Sequence, residues 1–278
     1  MMRSLWTAAS GMIAQQQNVD TISNNLANVN TTGYKKETVE FKSLLYQTIQ
    51  SKTTSANGET KPIGAQVGLG VRTAAITSVF TQGSLLHTEE ATDFAIDGEA
   101  FFAIRGYDGE THYTRNGDFA WAIMENGIGL CTSDGYPVLD ENREPIVIEG
   151  MNEGGEGGYD TTKITINSYG EVCYPDDRNN PQPIGVKIGL VQFDNPAGLT
   201  KKSGTFYDES DASGQPLWES ENESLNKSAV KQYYIEGSNV QIVDEMVNLI
   251  VAQRAYEMNS RAITASDEML GQANQLKR

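Results

Sequence analysis

The side chains that could support catalysis are a few acids and one histidine in the middle of the chain. Asp93 and Asp97 lie four residues apart, just after Glu89 and Glu90, and His112 stands among strand-forming residues. Paired carboxylates serve as acid and base in some hydrolases, but on a strand-rich surface they are more often solvated charges. No serine stands in a nucleophile-elbow motif. The sequence therefore predicts no catalytic residue, and we expect the protein not to be an enzyme.

The spacing of cysteines, histidines and acids gives no support for a metal site. The two cysteines, Cys131 and Cys173, form no CxxC pair and have no histidine at ligand spacing, which argues against a zinc site of the usual kind. We predict buried free thiols rather than a disulfide. The run Asp140-x-Asn142-x-Glu144 lacks the glycine and the final glutamate of an EF-hand loop. We expect neither a metal nor a cofactor.

The chain is strongly acidic, with a net charge of −16 and a pI near 4.5. Proteins that bind nucleic acid present clustered lysine and arginine to the phosphates, so we expect no nucleic-acid partner. The adjacent basic pairs are predicted to be solvated surface charges; they are Lys35-Lys36, Lys201-Lys202 and Lys277-Arg278.

No apolar run approaches the roughly 18 residues that suggest a membrane span. The polar run Gln15-Gln16-Gln17-Asn18 also interrupts the apolar core that a secretory signal would need. We therefore expect no direct membrane insertion, and any export must proceed without a cleavable signal.

Both ends of the chain carry apolar residues at a spacing of seven, which is typical of helices that pack lengthwise. The first stripe comprises Leu5, Met12, Val19 and Leu26, with Ala8, Ile22 and Val29 three positions further on. The last comprises Ile242, Leu249, Tyr256, Ile263 and Leu270, with Met246, Ala252, Ser266 and Ala273 on the same face. Neither face is stable in water alone, so we predict that these residues pack against the other helix, against copies of the chain, or both.

The ends of these helices are also predicted. The first helix should run from about Ser4 to about Asn28, with Gly33 suited to a position beyond its end. The last should begin after Ser238, which forms a capping box with Gln241.

Between the helices the pattern changes. Residues 34–50 fit a short helix or a strand, and residues 51–70 fit an extended arm. From residue 71 to 236, short strands alternate with turn dipeptides that favour hairpins, such as Asp97-Gly98, Asp108-Gly109, Asn116-Gly117 and Asn126-Gly127. We predict an α+β fold: a coiled-coil-like terminal helical domain (1–33 plus 237–278), a connecting segment and arm (34–70), and a central all-β domain of irregular hairpins (71–236).

Long motifs stand at both ends of the chain. The N-terminal motif includes Asn24, Asn25, Leu26, Asn28, Gly33 and Tyr34, and the C-terminal motif includes Ser238, Asn239, Val240, Gln253, Arg254, Ala255 and Tyr256. Both motifs resemble the signatures of bacterial flagellar rod and hook proteins. The middle runs Asp93 to Gly98 and Tyr113 to Phe119 also resemble the family. The length and the run Leu44 to Ile49 resemble the members that build the distal rod.

The resemblance implies a structural subunit that polymerises helically into a hollow, stiff drive shaft. That shaft transmits torque from motor to hook and encloses the export channel. The implied partners are copies of the same chain, the proximal rod, the hook, the surrounding outer-membrane and peptidoglycan rings, and the type III flagellar export apparatus. The implied location is the basal body, where the rod spans the periplasm.

Two alternatives stay open at this point. One is a proximal rod protein of the same family. The other is a secreted, β-rich binding module with a coiled-coil stalk, which would bind a ligand through the acidic loop Met151 to Asp160 or the loop Pro175 to Pro183.

Overall fold

The computed structural model describes residues 2–50, 65–124, 127–148, 163–176, 180–222 and 224–276. The chain divides into two compact units. The first, here the helical unit, comprises Met1–Ala27, Glu37–Val79 and Gln241–Arg278. The second, here the β-rich unit, comprises Asn28–Lys36 and Phe80–Val240. The α+β class predicted from the sequence is confirmed.

Two helices in the described residues account for both ends: α1 (Met2–Ala27) and α2 (Ile242–Gln275). The predicted end of α1 is confirmed to within one residue. The predicted capping box is wrong, because Gln241 precedes α2 without a side-chain capping bond, and the Ser238 hydroxyl instead accepts a bond from Val240 N at 3.3 Å. Neither helix is long and apolar enough over its described residues to cross a membrane.

The helical unit also contains four strands: β1 (Glu37–Ser43), β2 (Tyr46–Gln50), β3 (Ala65–Gly68) and β4 (Val71–Ser78). β1 pairs antiparallel with β4, and β2 pairs antiparallel with β3. Within residues 34–50, the segment that fitted a short helix or a strand, Glu37–Ser43 and Tyr46–Gln50 are therefore strand. Residues 51–64 of the predicted arm lie outside the described residues, and its end, predicted to be a loop, forms β3.

The strands of the β-rich unit are short. In chain order they are β5 (Leu85–His87), β6 (Phe94–Asp97), β7 (Phe101–Arg105), β8 (Thr111–Thr114), β9 (Phe119–Met124), β10 (Gly127–Thr132), β11 (Val147–Ile148), β12 (Thr165–Ile166), β13 (Glu171–Pro175), β14 (Pro181–Lys187), β15 (Leu190–Gln192), β16 (Thr200–Lys201), β17 (Phe206–Asp208), β18 (Leu217–Trp218), β19 (Ala229–Gln232) and β20 (Tyr234–Glu236).

The largest sheet has the strand order β16-β17-β8-β7-β15-β18 and is antiparallel. Its central strand β7 is buried on both faces because side chains alternate across a strand. Phe102 and Ile104 enter one hydrophobic cluster, whereas Phe101 and Ala103 enter the other. Smaller sheets, β11-β10-β9, β12-β13-β14, β19-β6 and β20-β5, complete the unit.

Some turn dipeptides join paired strands and others do not. Asp108-Gly109 lies between the paired strands β7 and β8. Of the dipeptide Asn126-Gly127, residue 126 lies outside the described residues and Gly127 begins β10, which pairs with β9. The hairpins predicted at Asp97-Gly98 and Asn116-Gly117 are wrong, because the two strands that flank each dipeptide pair with other strands and not with each other. The predicted loop at Pro175 to Pro183 is wrong at both ends, because Pro175 ends β13 and Pro181 to Pro183 lie in β14, with which β13 pairs. The acidic run at residues 151–160 lies outside the described residues.

Candidate assembly surface

The contacts between α1 and α2 follow a single register. Three residue pairs define it: Ser4 with Ser266, Gly11 with Asn259, and Asn25 with Glu245. The two hydroxyl oxygens of the first pair lie 3.3 Å apart, and in the third pair Nδ2 of Asn25 donates to Oε2 of Glu245 at 3.2 Å. From one pair to the next, the residue number on α1 rises by seven or fourteen, and the residue number on α2 falls by the same amount. The helices therefore pack antiparallel with a seven-residue repeat.

The line of closest contact between the helices, here the seam, is small and polar. At Gly11 an added Cβ would lie 2.9 Å from Nδ2 of Asn259, so the backbone of α1 closely approaches the side chains of α2 there. Ala252 and Glu245 are each only 1% exposed. In the helical unit, small side chains allow close approach and polar ones supply the bonds across it.

The predicted apolar stripe flanks this seam. Of its α1 members Ile22 is buried, and Leu5, Met12, Val19 and Leu26 are half-buried. On α2, Leu249, Ile263 and Leu270 are half-buried, whereas Ile242, Met246 and Tyr256 are exposed. Val29, in the β-rich unit, is half-buried. The predicted role of these residues in subunit packing stays a prediction.

A second face of α1 packs on the strands β1 and β4. The Ser10 hydroxyl accepts a bond from Val71 N at 3.3 Å, and the hydroxyl of Thr73 donates to the Gln17 side chain. These contacts recur about two turns apart along α1, so the helix is held on two sides within its unit.

Sequence analysis missed an exposed apolar surface on the two helices. On α2 it comprises Val243, Val247, Ile250, Val251 and Met258, and on α1 it comprises Trp6 and Ile13. We name these seven residues the outer stripe. Val243, Met258 and Trp6 are 73%, 69% and 74% exposed. Adjacent apolar pairs such as Ile242-Val243 were the available signal, because they widen an apolar stripe beyond one helix face.

Within the β-rich unit, three charged side chains meet in the interior. Lys35, Arg115 and Glu236 are 1%, 2% and 1% exposed. Nζ of Lys35 lies 2.6 Å from Oε1 of Glu236, and the Arg115 guanidinium lies 3.4 Å from Oε2. Burial lowers the pKa of Lys35 and that of Arg115, and the Glu236 carboxylate opposes both shifts. The prediction that Lys35 is a solvated surface charge is wrong.

Backbone groups complete the environment of Glu236. Gly83 N donates to Oε1 at 2.8 Å, Gly33 N donates to the Glu236 carbonyl at 2.8 Å, and the Lys35 ammonium also donates to the Thr81 carbonyl at 3.0 Å. The carboxylate is thus satisfied by charged and neutral donors, which a buried charge requires.

The neighbouring motif residues also make structural contacts. Oδ1 of Asn239 accepts from Lys36 N at 2.7 Å, and its Nδ2 donates to the Thr81 hydroxyl at 3.0 Å. Gly33 has φ of +68°, in the left-handed region, but lies six residues beyond the end of α1 rather than at its cap. Tyr34 is half-buried.

The residues first considered for chemistry lie in structural contacts of the β-rich unit. His112 Nδ1 lies 2.5 Å from an Asp208 oxygen, and Asp97 pairs with Lys231 at 2.7 Å. Cys131 and Cys173 are buried free thiols, as predicted. Among the described residues, no three potential metal ligands cluster.

Asp93 was expected to be a solvated charge, and this expectation is wrong because Asp93 is buried. Oδ1 of Asp140 accepts bonds from Asn142 N and Glu144 N at 2.8 and 2.9 Å, as in a turn.

Comparison with known proteins places similarity along the whole chain. Residues 5–35 match the family model described as flagella basal body rod protein, residues 95–174 the flagellar hook protein FlgE/F/G D1 domain, and residues 231–276 the flagellar basal body rod FlgEFG protein C-terminal. The chain is 45% identical to the flagellar basal-body rod protein FlgG of Borreliella burgdorferi, with all of both chains covered. It is 41% identical to FlgG of Agrobacterium fabrum, over 96% of this chain and 97% of the relative, and 37% identical to FlgG of Bacillus subtilis over all of both.

Proposed function

This chain belongs to the family of flagellar basal-body rod proteins, and we propose that it polymerises through the outer faces of α1 and α2. It is a structural subunit of the distal rod, since full-length relatives at 37 to 45% identity are FlgG rod proteins. The family is structural, which argues against a catalytic role. Family membership also disfavours the secreted binding module, and the FlgG relatives favour the distal over the proximal rod.

The outer stripe is the observation that carries this proposal. Val243, Val251 and Met258 are 73%, 62% and 69% exposed, and they lie on one helix. Contiguous apolar surface of this kind marks an interaction site on a soluble protein. A helical polymer covers such a surface on every subunit, because contacts between different faces repeat without closing.

In the proposed rod, the paired helices form a coiled-coil-like inner tube around the export channel, and the β-rich region forms the outer layer. The domain division at residues 33, 70 and 236 belongs to this proposal. Covering the outer stripe would contribute roughly 25 cal/mol for each Å² of apolar surface removed from water. Summed over many subunits, this contribution would make the tube stiff enough to transmit torque.

The family implies self-assembly and association with other axial components of the flagellum. We extend this to the proximal rod and the hook as neighbours, and to the outer-membrane and peptidoglycan rings as the surrounding bushing. We also propose export through the type III apparatus without a cleavable signal, and a final position spanning the periplasm.

The test is sedimentation and electron microscopy of the full chain over a concentration series. We expect straight tubes from the wild-type chain and none from the double variant Val251→Asp with Met258→Asp. The matched control, Gln272→Asp with Asn274→Asp, adds two aspartates at exposed polar positions of the same helix and should form tubes. Normal tubes from the Val251 and Met258 variant would overturn the proposed surface.

A further inference from the structure

Helices with a seven-residue repeat have more than one way to pair. If α2 slides by one repeat, each stripe residue of α1 meets the equivalent residue seven positions further along α2, so apolar packing alone barely distinguishes the two arrangements. In one such slide Ala252 would face Asn25, Ser266 would face Gly11, and Ala273 would face Ser4. The helices would remain paired over the full length of α1.

Asn25 connects three segments of the helical unit. Its Oδ1 accepts from Glu37 N at 2.9 Å and its Nδ2 donates to the Glu37 carbonyl at 2.8 Å, so the amide pairs with the main chain of β1. The same Nδ2 donates to the Glu245 carboxylate at 3.2 Å. Because both bonds to Glu37 hold the amide in place, its position does not depend on α2.

Glu245 is the α2 residue that recognises this fixed amide. Its side chain is 1% exposed although it carries a carboxylate. In the slid arrangement Asn25 would face the methyl group of Ala252, and Glu245 would lie beyond Ala27, where α1 ends. That arrangement loses the hydrogen bond between Asn25 and Glu245. A hydrogen bond to an ionised group is stronger than one between two neutral groups.

We propose that the Asn25–Glu245 pair selects the register between α1 and α2. One buried polar residue is known to select register in helix pairs whose apolar contacts are degenerate. A slide of seven residues moves α2 by about 10 Å along α1. The register therefore decides which residues of α2 lie level with Trp6 and Ile13 of the outer stripe. In this respect the inference rests on the proposed assembly function.

Cysteine pairs report the register directly. Ser4→Cys with Ser266→Cys cross-links in the observed register, and Ser4→Cys with Ala273→Cys cross-links only in the slid one. Cys131 and Cys173 are buried and stay in place. Each full-length variant is oxidised below the concentration at which it sediments, and the two cross-links are quantified by mass spectrometry.

In the otherwise wild-type chain, we expect the observed-register cross-link to dominate by about tenfold or more, the equivalent of one hydrogen bond to a charged group. Glu245→Ala should reduce that ratio by about tenfold. Asn25→Ser, a smaller change, should reduce it in the same direction. The matched control Glu257→Ala removes an exposed glutamate of α2 that pairs with Arg254 at 2.9 Å, and it should leave the ratio unchanged.

An unchanged ratio in both Glu245→Ala and Asn25→Ser would overturn the proposal. Loss of both cross-links would also overturn it, because the pair would then be needed for helix pairing rather than for the choice of register. The cross-link ratio is measured in unassembled protein, so failure of the rod proposal would appear separately, as absence of polymer at high concentration.

Discussion

Lys35 and Glu236, which are 201 residues apart in the chain, form a buried ion pair with Nζ and Oε1 separated by 2.6 Å. Arg115, which directly follows β8, completes the cluster because its guanidinium pairs with Oε2 of Glu236. Each of the three residues lies in a different segment matched by a flagellar family model. One carboxylate thus joins the N-terminal, middle and C-terminal family segments within the β-rich unit.

Replacing Glu236 should destabilise the β-rich unit strongly. Glu236→Ala leaves two buried cations without their carboxylate, and breaking one side of a buried ion pair typically costs about 3–5 kcal/mol. Urea unfolding followed by fluorescence measures the change in the free energy of unfolding.

The control for Glu236→Ala is Asp97→Ala, which breaks an exposed pair with Lys231. Exposed pairs contribute less than about 1 kcal/mol, so this variant should unfold close to wild type. Equal effects of the two variants would contradict the structural role assigned to the buried cluster.

Gly33→Ala should be far more damaging than Gly109→Ala. Both glycines have positive φ, +68° and +83°, so both alanines incur backbone strain of about 1–2 kcal/mol. At Gly33 the new Cβ would also lie 2.5 Å from Asn116 N, whereas at Gly109 it meets nothing within 4 Å. Thermal unfolding of the two variants isolates the steric contribution, and equal melting temperatures would refute the close backbone approach at Gly33.

Leu249→Asp or Ile263→Asp should abolish assembly while leaving the β-rich unit folded. Both side chains are half-buried beside the seam, and a charge there loses apolar contact and must be desolvated. We expect no polymer in sedimentation and an unchanged near-UV circular dichroism signal from Trp121 and Trp218. Gln272→Asp is the control on the same helix, and normal polymer from the Leu249 and Ile263 variants would refute the stripe assignment.

Asp118 should make stability fall as pH rises from acid to neutral. Burial, and then the charge of Asp93, raise the pKa of Asp118. Its contribution is therefore fully present below the ordinary carboxyl range and is lost as pH rises through the raised folded-state pKa. Asp118→Asn should stabilise the protein at neutral pH by less than about 1 kcal/mol, because the group is partly exposed, and should have no effect at low pH.

Asp97 provides a control of opposite sign for this pH dependence. The hydrogen bond from Lys231 lowers the pKa of Asp97, so its contribution is present at neutral pH and is lost as pH falls through the lowered folded-state pKa. Asp97→Asn should destabilise at neutral pH and match wild type at low pH. Unfolding curves measured from acid to neutral pH test both signs.

Local patterns predicted much of this protein. The spacing of seven located α1 and α2, and the N-terminal and C-terminal motifs identified the family. The dipeptide Asp108-Gly109 correctly indicated a hairpin, because the strands that it joins pair with each other. At Asn116-Gly117 the same type of signal failed, because β8 pairs with β7 and β17 instead.

By itself, the sequence determined the helices, the β-rich middle and the family, because periodicity and turn chemistry act over a few neighbouring residues. Only the tertiary structure decided that Lys35 is buried, that Asn25 meets Glu245 across 220 residues of chain, and that the seam is small and polar. The physical reason is that burial depends on which distant segments approach. A lysine beside another lysine has the same local pattern whether water or a carboxylate surrounds it.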